Sequence, residues 1–153
     1  MKLELVNNRK QFSSQVHKAM IQLIFTHNWW KDKQQLIFDE YGLQTQHYNV
    51  LRIVNDASPN AISPSEIKAL MFDKGADLTR IIDKLVLAEY VSRENCQLNR
   101  RRVDIKISKK GKTLLNEMNP KLENLIQKVQ QSISEEEATA INQILEKIRN
   151  INF

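Results

Sequence analysis

Between Asn99 and Lys112 the chain reads NRRRVDIKISKKGK: three consecutive arginines, an alternating run, then three lysines set around a glycine. Groups of this kind bind polyanions. Arginine offers a planar fork that fits phosphate and the guanine edge, and lysine offers a point charge. Residues 93–112 carry eight of the 23 basic residues and two acids, Glu94 and Asp104, a local charge of +6. The whole chain is +5, so the other 133 residues sum to −1. Such a concentrated excess is the footprint of a polyanion-facing patch, although a solubilising loop would share the composition. The order of the surrounding parts separates the two readings.

Val103, Ile105 and Ile107 alternate with Asp104 and Lys106, and residues 90–94 (YVSRE) alternate as well. Joined by CQLNRRR, the two runs predict a β-hairpin with a basic tip. The lack of Asn-Gly or Asp-Gly makes its loop longer than two residues. Upstream, SPSEIKALMF places Ser63, Pro64 and Glu66 at N-cap, N1 and N3, a capping box that opens a short helix over 64–72. Gly75 is expected to break it. A helix over 76–88 follows, with Leu78, Ile81, Ile82 and Leu85 on one face and Asp77, Arg80 and Lys84 opposite. Short capped helix, turn, second helix, strand, basic loop, strand is the order of a winged helix-turn-helix. In that module the second helix enters the DNA major groove, and the hairpin follows phosphates or reaches the minor groove.

Long amphipathic segments flank this module. Residues 9–38 set Phe12, Val16, Ala19, Met20, Leu23, Ile24, His27 and Trp30 at helical spacing, and Gly42 should end that helix. A helix over 44–55 follows, with Thr45 as N-cap and Tyr48, Leu51 and one of Ile53 or Val54 inward. Ser108 should cap a helix to about 131 carrying Leu114, Leu115, Met118, Leu122, Leu125, Ile126 and Val129. Pro120 inside it predicts a kink or short break near 119. Ser134 and Glu137 form a further capping box before a last helix, 135–150, with Ala138, Ile141, Ile144, Leu145 and Ile148 inward. The expected fold is mostly α with a small β-hairpin wing. An N-terminal dimerisation helix occupies 1–42, a winged helix-turn-helix DNA-binding lobe 43–109, and C-terminal dimerisation helices 110–153. The terminal helices carry more apolar surface than one small lobe covers, so a symmetric homodimer is expected. Its interface would use Phe12, Val16, Leu125, Val129, Ile141, Ile144, Ile148, Ile151 and Phe153.

The stretch LTRIIDKLVLAEYVSREN followed by NRRRVDIKISKKG resembles the MarR (multiple antibiotic resistance regulator) family of transcription factors. Thr79, Arg80, Asp83, Lys84, Leu85 and Arg93 match the first half of the family pattern. Arg101, Val103, Ile105, Ile107, Ser108 and Gly111 match the second, and Ser65, Glu66, Ile67 and Leu70 resemble the helix before. With the terminal helices, the resemblance covers nearly the whole chain. It implies that Arg101 enters the minor groove, with Arg100 and Arg102 on phosphates or the groove edge. Thr79 and Arg80 would lie at the groove-facing end of the recognition helix, with Lys74, Asp77 and Lys84 nearby and Arg80 as the base reader. Ser65 would hold a phosphate, and Arg93 and Asn99 complete the DNA-facing set. Two positions depart from the pattern. Asn99 stands where the family has an aspartate that orients the wing arginine. Glu89 replaces the glycine after the recognition helix, and glutamate resists the left-handed backbone, so that helix is expected to end differently.

The resemblance further implies a homodimer on double-stranded DNA, reading an inverted repeat, and repression relieved by a small aromatic or phenolic effector. His27, Trp29, Trp30, Tyr41, His47 and Tyr48 are the candidate lining of its pocket, with ordinary core aromatics as the plain alternative. Cys96, the single cysteine, allows no intramolecular disulfide and fits a reducing cytoplasm. Relatives that sense oxidants place their thiol near the N-terminus, where this chain has none. His17, His27 and His47 lack metal-ligand spacing, and there is no Gly-rich phosphate loop or Ser/His/Asp grouping. Neither a metal, a cofactor nor an enzyme is expected. No apolar run approaches the ~18 residues of a membrane span. Two other classes stay open: a winged-helix protein–protein adaptor, which has no need of charge at Arg80 and Arg100–Arg102, and a ligand-independent architectural DNA-binding factor.

Overall fold

The computed structural model describes residues 12–95 and 103–152. Cys96, Asn99, Arg100, Arg101, Arg102 and Phe153, all named above, lie outside the described residues. Within them the order is α1 (Gln15–Asp39), α2 (Thr45–Asp56), α3 (Pro64–Leu70), α4 (Leu78–Leu87), β1 (Val91–Asn95), β2 (Val103–Ile107), α5 (Lys109–Gln130) and α6 (Glu135–Arg149). The mostly helical winged-helix architecture read from the sequence is the architecture observed.

Local chemistry explains most boundaries. The Ser14 hydroxyl accepts from the His17 N–H at 3.0 Å and starts α1. At its far end Leu43 N–H bonds to Phe38 O and Gly42 N–H to Asp39 O, each at 3.0 Å, with Gly42 at φ +64°. This is the paired-bond closure that needs one left-handed residue. The α2 cap differs from expectation. Thr45 is already helical, and its buried hydroxyl has no partner. Gln44 is the N-cap, and its N–H donates to His47 Nδ1 at 3.1 Å. Histidine thus fills the acceptor role that Glu or Gln usually plays at N3.

The α3 capping box forms as read: Ser63 N–H donates to Glu66 Oε2 at 2.8 Å, and Glu66 N–H to Ser63 Oγ at 3.3 Å. The helix stops at Leu70, well before Gly75, because Met71 turns extended and drives its side chain into the core. Helix α4 starts two residues later than its apolar pattern suggested, at the Asp77 cap, whose carboxylate accepts from Arg80 N–H. Ser108 caps α5 through Gly111 N–H at 2.9 Å. The break expected near 119 does not occur, and α5 runs unbroken through Pro120. The hydrogen bond proline forfeits is to the Asn116 carbonyl, on a face that is open to solvent.

The hairpin pairs Val91 with Ile107 and Asn95 with Val103. Ile62 adds two backbone bonds to Ile105, at 2.9 and 3.0 Å, tying the hairpin to the start of α3. Every buried apolar side chain among the described residues falls between Phe38 and Leu122. Phe38, Leu51, Ile67, Ile82, Leu85, Ile105 and Met118 form its centre. Helix α6 has no fully buried residue: Ala138, Leu145 and Ile148 are half-buried and Ile141 and Ile144 exposed, so the expected inward face is only partly covered within one chain.

Candidate nucleic-acid interface

Helix α4 buries Leu78, Ile81, Ile82 and Leu85 and exposes Thr79, Arg80, Asp83, Lys84 and Leu87. At about 100° per residue those five span an arc of about 140°, with Arg80 and Leu87 near its middle. Asp83 lies toward the hairpin, and its carboxylate meets the Arg93 guanidinium at 2.8 Å. Lys84 lies on the other side and donates to the Gly42 carbonyl at 2.9 Å. The helix is braced from both flanks, and Thr79 and Arg80 stand outward from its first turns, where a groove-reading helix presents its reading side chains. Leu87, 86% exposed beside them, was not singled out in the sequence.

Other positively charged candidates are tied to the protein. Lys74 donates to the Lys68 and Ala69 carbonyls, closing the C-terminus of α3. Arg93 is held by Asp83 as described. Ser65 is exposed and bonds to the Ser63 hydroxyl at 3.0 Å, but the Glu66 carboxylate already occupies that helix start, so an anion there would meet like charge. Asp77 is spent on the α4 cap.

The hairpin base is rigidly located. Glu89 adopts φ +60°, with Glu89 N–H on Val86 O and Tyr90 N–H on Leu85 O, each at 2.9 Å. The expectation that glutamate would make α4 end differently is therefore wrong. The helix ends with the same paired-bond closure that Gly42 gives α1. Outside contacts hold the strained residue: its carbonyl accepts from Ser108 Oγ at 2.7 Å, and its carboxylate meets Lys110 at 3.2 Å. Gly111 then lets α5 approach; a Cβ there would lie 2.2 Å from the Tyr90 carbonyl oxygen. The two strands leave this base toward Asn95 and Val103, the ends between which the three arginines are strung.

No family model matches the chain. Over 113 residues it is 26% identical to the HTH-type transcriptional regulator PecS of Dickeya dadantii (strain 3937), a span of 73% of this chain and 68% of that protein. A MarR mutant from E. coli complexed with operator DNA shares the fold, with a TM-score of 0.76 at 20% identity, over 91% of this chain and 99% of that one. The crystal structure of a MarR transcription factor from Planctomyces limnophilus is 26% identical with a TM-score of 0.67, over 89% of this chain and 98% of that one. In sequence and in fold the chain is similar to MarR-family transcription regulators. The relatives are regulators rather than enzymes. Among the described residues no helix is long and apolar enough to cross a membrane, and no cluster of ligating side chains could hold a metal.

The aromatic residues expected to form one effector pocket are dispersed among separate places on the chain. Trp29 and Trp30, with Ile126, Val129, Ile133 and Ala138, line an open cleft of about 430 Å³ at the α5–α6 junction. Tyr41 and Tyr48 lie near the α1–α2 corner. Tyr48 stacks on Phe38 at 5.0 Å and donates to Asn119 Oδ1 at 3.0 Å. The Tyr41 ring lies 4.9 Å from the Lys121 ammonium. Lys121 is also paired with Glu40, and these two neighbours, Glu40 first, push its pKa up to about 12. His27 is exposed on α1. Helical rise explains the separation: Trp30 and Tyr41 are about 15 Å apart along α1 and the turn after it.

His47 belongs to a third place. It lines a cleft of about 360 Å³ with Gln44, Gln46, Asp77, Arg80, Ile81 and Lys84, between the start of α2 and the exposed face of α4. Burial pushes its pKa below the ordinary histidine value, and the charge of Lys84 adds to this. The bond from Gln44 N–H needs a lone pair on Nδ1, so the proton of the neutral ring sits on Nε2. The sequence holds one signal of this cap, a histidine three residues after the N-cap.

Proposed function

We propose that the chain is a homodimeric DNA-binding repressor that reads an inverted-repeat operator and is released by a small aromatic or phenolic effector. One observation carries the DNA-reading part. Thr79 and Arg80 stand free on a braced, exposed helix beside a hairpin whose tip sequence holds Arg100, Arg101 and Arg102. Arg80 would form a bidentate contact to guanine, and Arg101 would enter the minor groove.

Support for a dimer comes from the flanking helices. Val16 is 71% exposed, Ile141 46%, Ile144 57% and Ile151 52%, while Phe12, Leu125, Val129 and Ile148 are half-buried. Apolar surface of this extent calls for a partner. A second copy supplies the same faces and would set half-sites about 10 bp apart. The effector reading rests on the cleft beside His47. A phenolic acid there would pair with Lys84 or Arg80 and remove Arg80 from the groove, lowering DNA affinity through its preference for the unbound state.

Selection of bound DNA from random sequence tests the proposal. A palindromic winner is expected, with affinity falling steeply as salt rises. Arg80→Ala should cost about 1–3 kcal/mol and relax preference at one base pair of each half-site. Arg101→Ala should weaken binding and leave the dimer intact in sedimentation. Retained affinity without sequence enrichment would favour an architectural factor, and no binding at all would favour a protein–protein adaptor.

A further inference from the structure

We propose that Asp83 is a positioning residue for DNA recognition. Through Arg93 it fixes the angle of the wing against α4, so that operator binding requires an acid on the face that DNA approaches. The inference rests on the reading of α4 as the groove-facing helix.

The placement of Asp83 is otherwise a liability. It lies on the exposed arc of α4 between Thr79 and Leu87, one helical turn from Arg80. A carboxylate there repels the phosphates that Arg80 and the wing must approach. Fold stability does not account for it. The pair is open to water, with the side chains of Asp83 and Arg93 56% and 37% exposed, and ion pairs in that setting add little to folding.

Its geometry does something else. The hairpin is anchored at its base by the Ile62–Ile105 bonds and by Ser108 on the Glu89 carbonyl. Arg93 lies in the middle of β1, two residues before the strand ends at Asn95. The 2.8 Å contact therefore joins the middle of the wing strand to the middle of the recognition helix. The guanidinium fork meets a carboxylate in a directional way that a lysine would not. Restraint at this point limits swing of the strand about its base, and the tip arginines lie beyond it in sequence. Arg93 is thus a partner of Asp83 first, and the carboxylate offsets its charge before any phosphate arrives.

The proposal makes the sign of a substitution the test. By repulsion alone, Asp83→Asn should tighten binding to every DNA. By positioning, it should weaken operator binding on the order of tenfold and leave non-specific binding unchanged or stronger. Fluorescence anisotropy with the selected operator and with a scrambled duplex measures both, for Asp83→Asn, Arg93→Gln and the double variant. The double variant should bind the operator no more weakly than the weaker single variant, since both remove one contact. Tighter operator binding by Asp83→Asn overturns the proposal. So does a changed base preference at one operator position that Arg93→Gln does not share, because Asp83 would then be reading a base directly. If Asp83→Asn loses nothing while Arg80→Ala binds weakly, the positioning role falls and the groove-facing reading stands. If Arg80→Ala also binds normally, that reading falls and the proposal with it.

Discussion

Leu51 and Ile144 are both aliphatic residues on the apolar face of an amphipathic helix, yet Leu51 is sealed in the core and Ile144 is 57% exposed. The contrast holds for whole regions. From Phe38 to Leu122 each helix finds its apolar complement within the same chain. The first turns of α1, the end of α5 and all of α6 do not. The first region spends its sequence on making one structure; the second keeps apolar surface available. The MarR-type fold thus combines a self-sufficient reading lobe with helices whose packing is completed by something else. The proposal above makes that something a second copy.

The sharpest way to break this comparison is inside the lobe. Leu51→Ala should cost about 2–5 kcal/mol, read from the denaturation midpoint, because the cavity lies among residues that cannot collapse onto it. A loss below about 1 kcal/mol would mean that the lobe is no better packed than the flanking helices. The counterpart is Ile141→Glu with Ile144→Glu. The pair should leave the circular dichroism of the chain intact and cost about 2–4 kcal/mol of association, seen as a monomer in sedimentation velocity. A dimer that survives both charges would place its interface elsewhere.

Smaller effects refine the comparison within the lobe. Glu89→Gly should stabilise by about 0.5–1 kcal/mol, since glycine adopts the observed φ without the steric penalty that glutamate bears. Loss of the Lys110 contact offsets part of the gain. A destabilised Glu89→Gly protein would show that this contact outweighs the strain. The smallest effect concerns pH. The folded-state pKa of His47 lies below its unfolded value of 6.5. Above that pH the ring is neutral in both states and its contribution to stability is complete. As pH falls below 6.5 the unfolded chain takes up a proton that the folded one resists, and stability declines until the folded pKa is passed. His47→Gln should flatten that part of the profile in acid melts while keeping the N3 acceptor of the cap. An unchanged slope would assign the acid sensitivity to another group.

Much of the lobe was legible because its signals are local. The Ser63–Glu66 box, the Leu78–Leu85 stripe, the alternation at 103–107 and the Ser108 cap each need only a few neighbouring residues. What was missed depends on chain segments meeting. The His47 cap, the Ile62–Ile105 bridge and the Asp83–Arg93 pair join residues whose proximity follows from turns, above all the left-handed one at Glu89. At that turn the intrinsic preference of glutamate points the wrong way, because the Ser108 and Lys110 contacts that hold it come from a distant segment. The core also runs past both expected edges of the DNA-binding lobe, 43 and 109, taking in Phe38 and the first half of α5. In the flanking helices the 3.6-residue period announced an apolar face, but a period carries no information about which chain covers it. Hence the inward face expected of α6 is covered only in part by its own chain, at Ala138, Leu145 and Ile148.

Only Ser108 separates the end of β2 from helix α5, which runs unbroken from Lys109 to Gln130. Its 22 residues make a strut about 33 Å long, with the hairpin at one end and the apolar arm at the other. A rod of that length is a mechanical amplifier: a tilt of about 5° at the arm displaces its wing end by about 3 Å, comparable to one base-pair step. Because the helix is continuous through Pro120, the rod transmits such a tilt instead of absorbing it. Leverage exerted where two copies meet would therefore reach the arginine-bearing tip without any change in the lobe's own core.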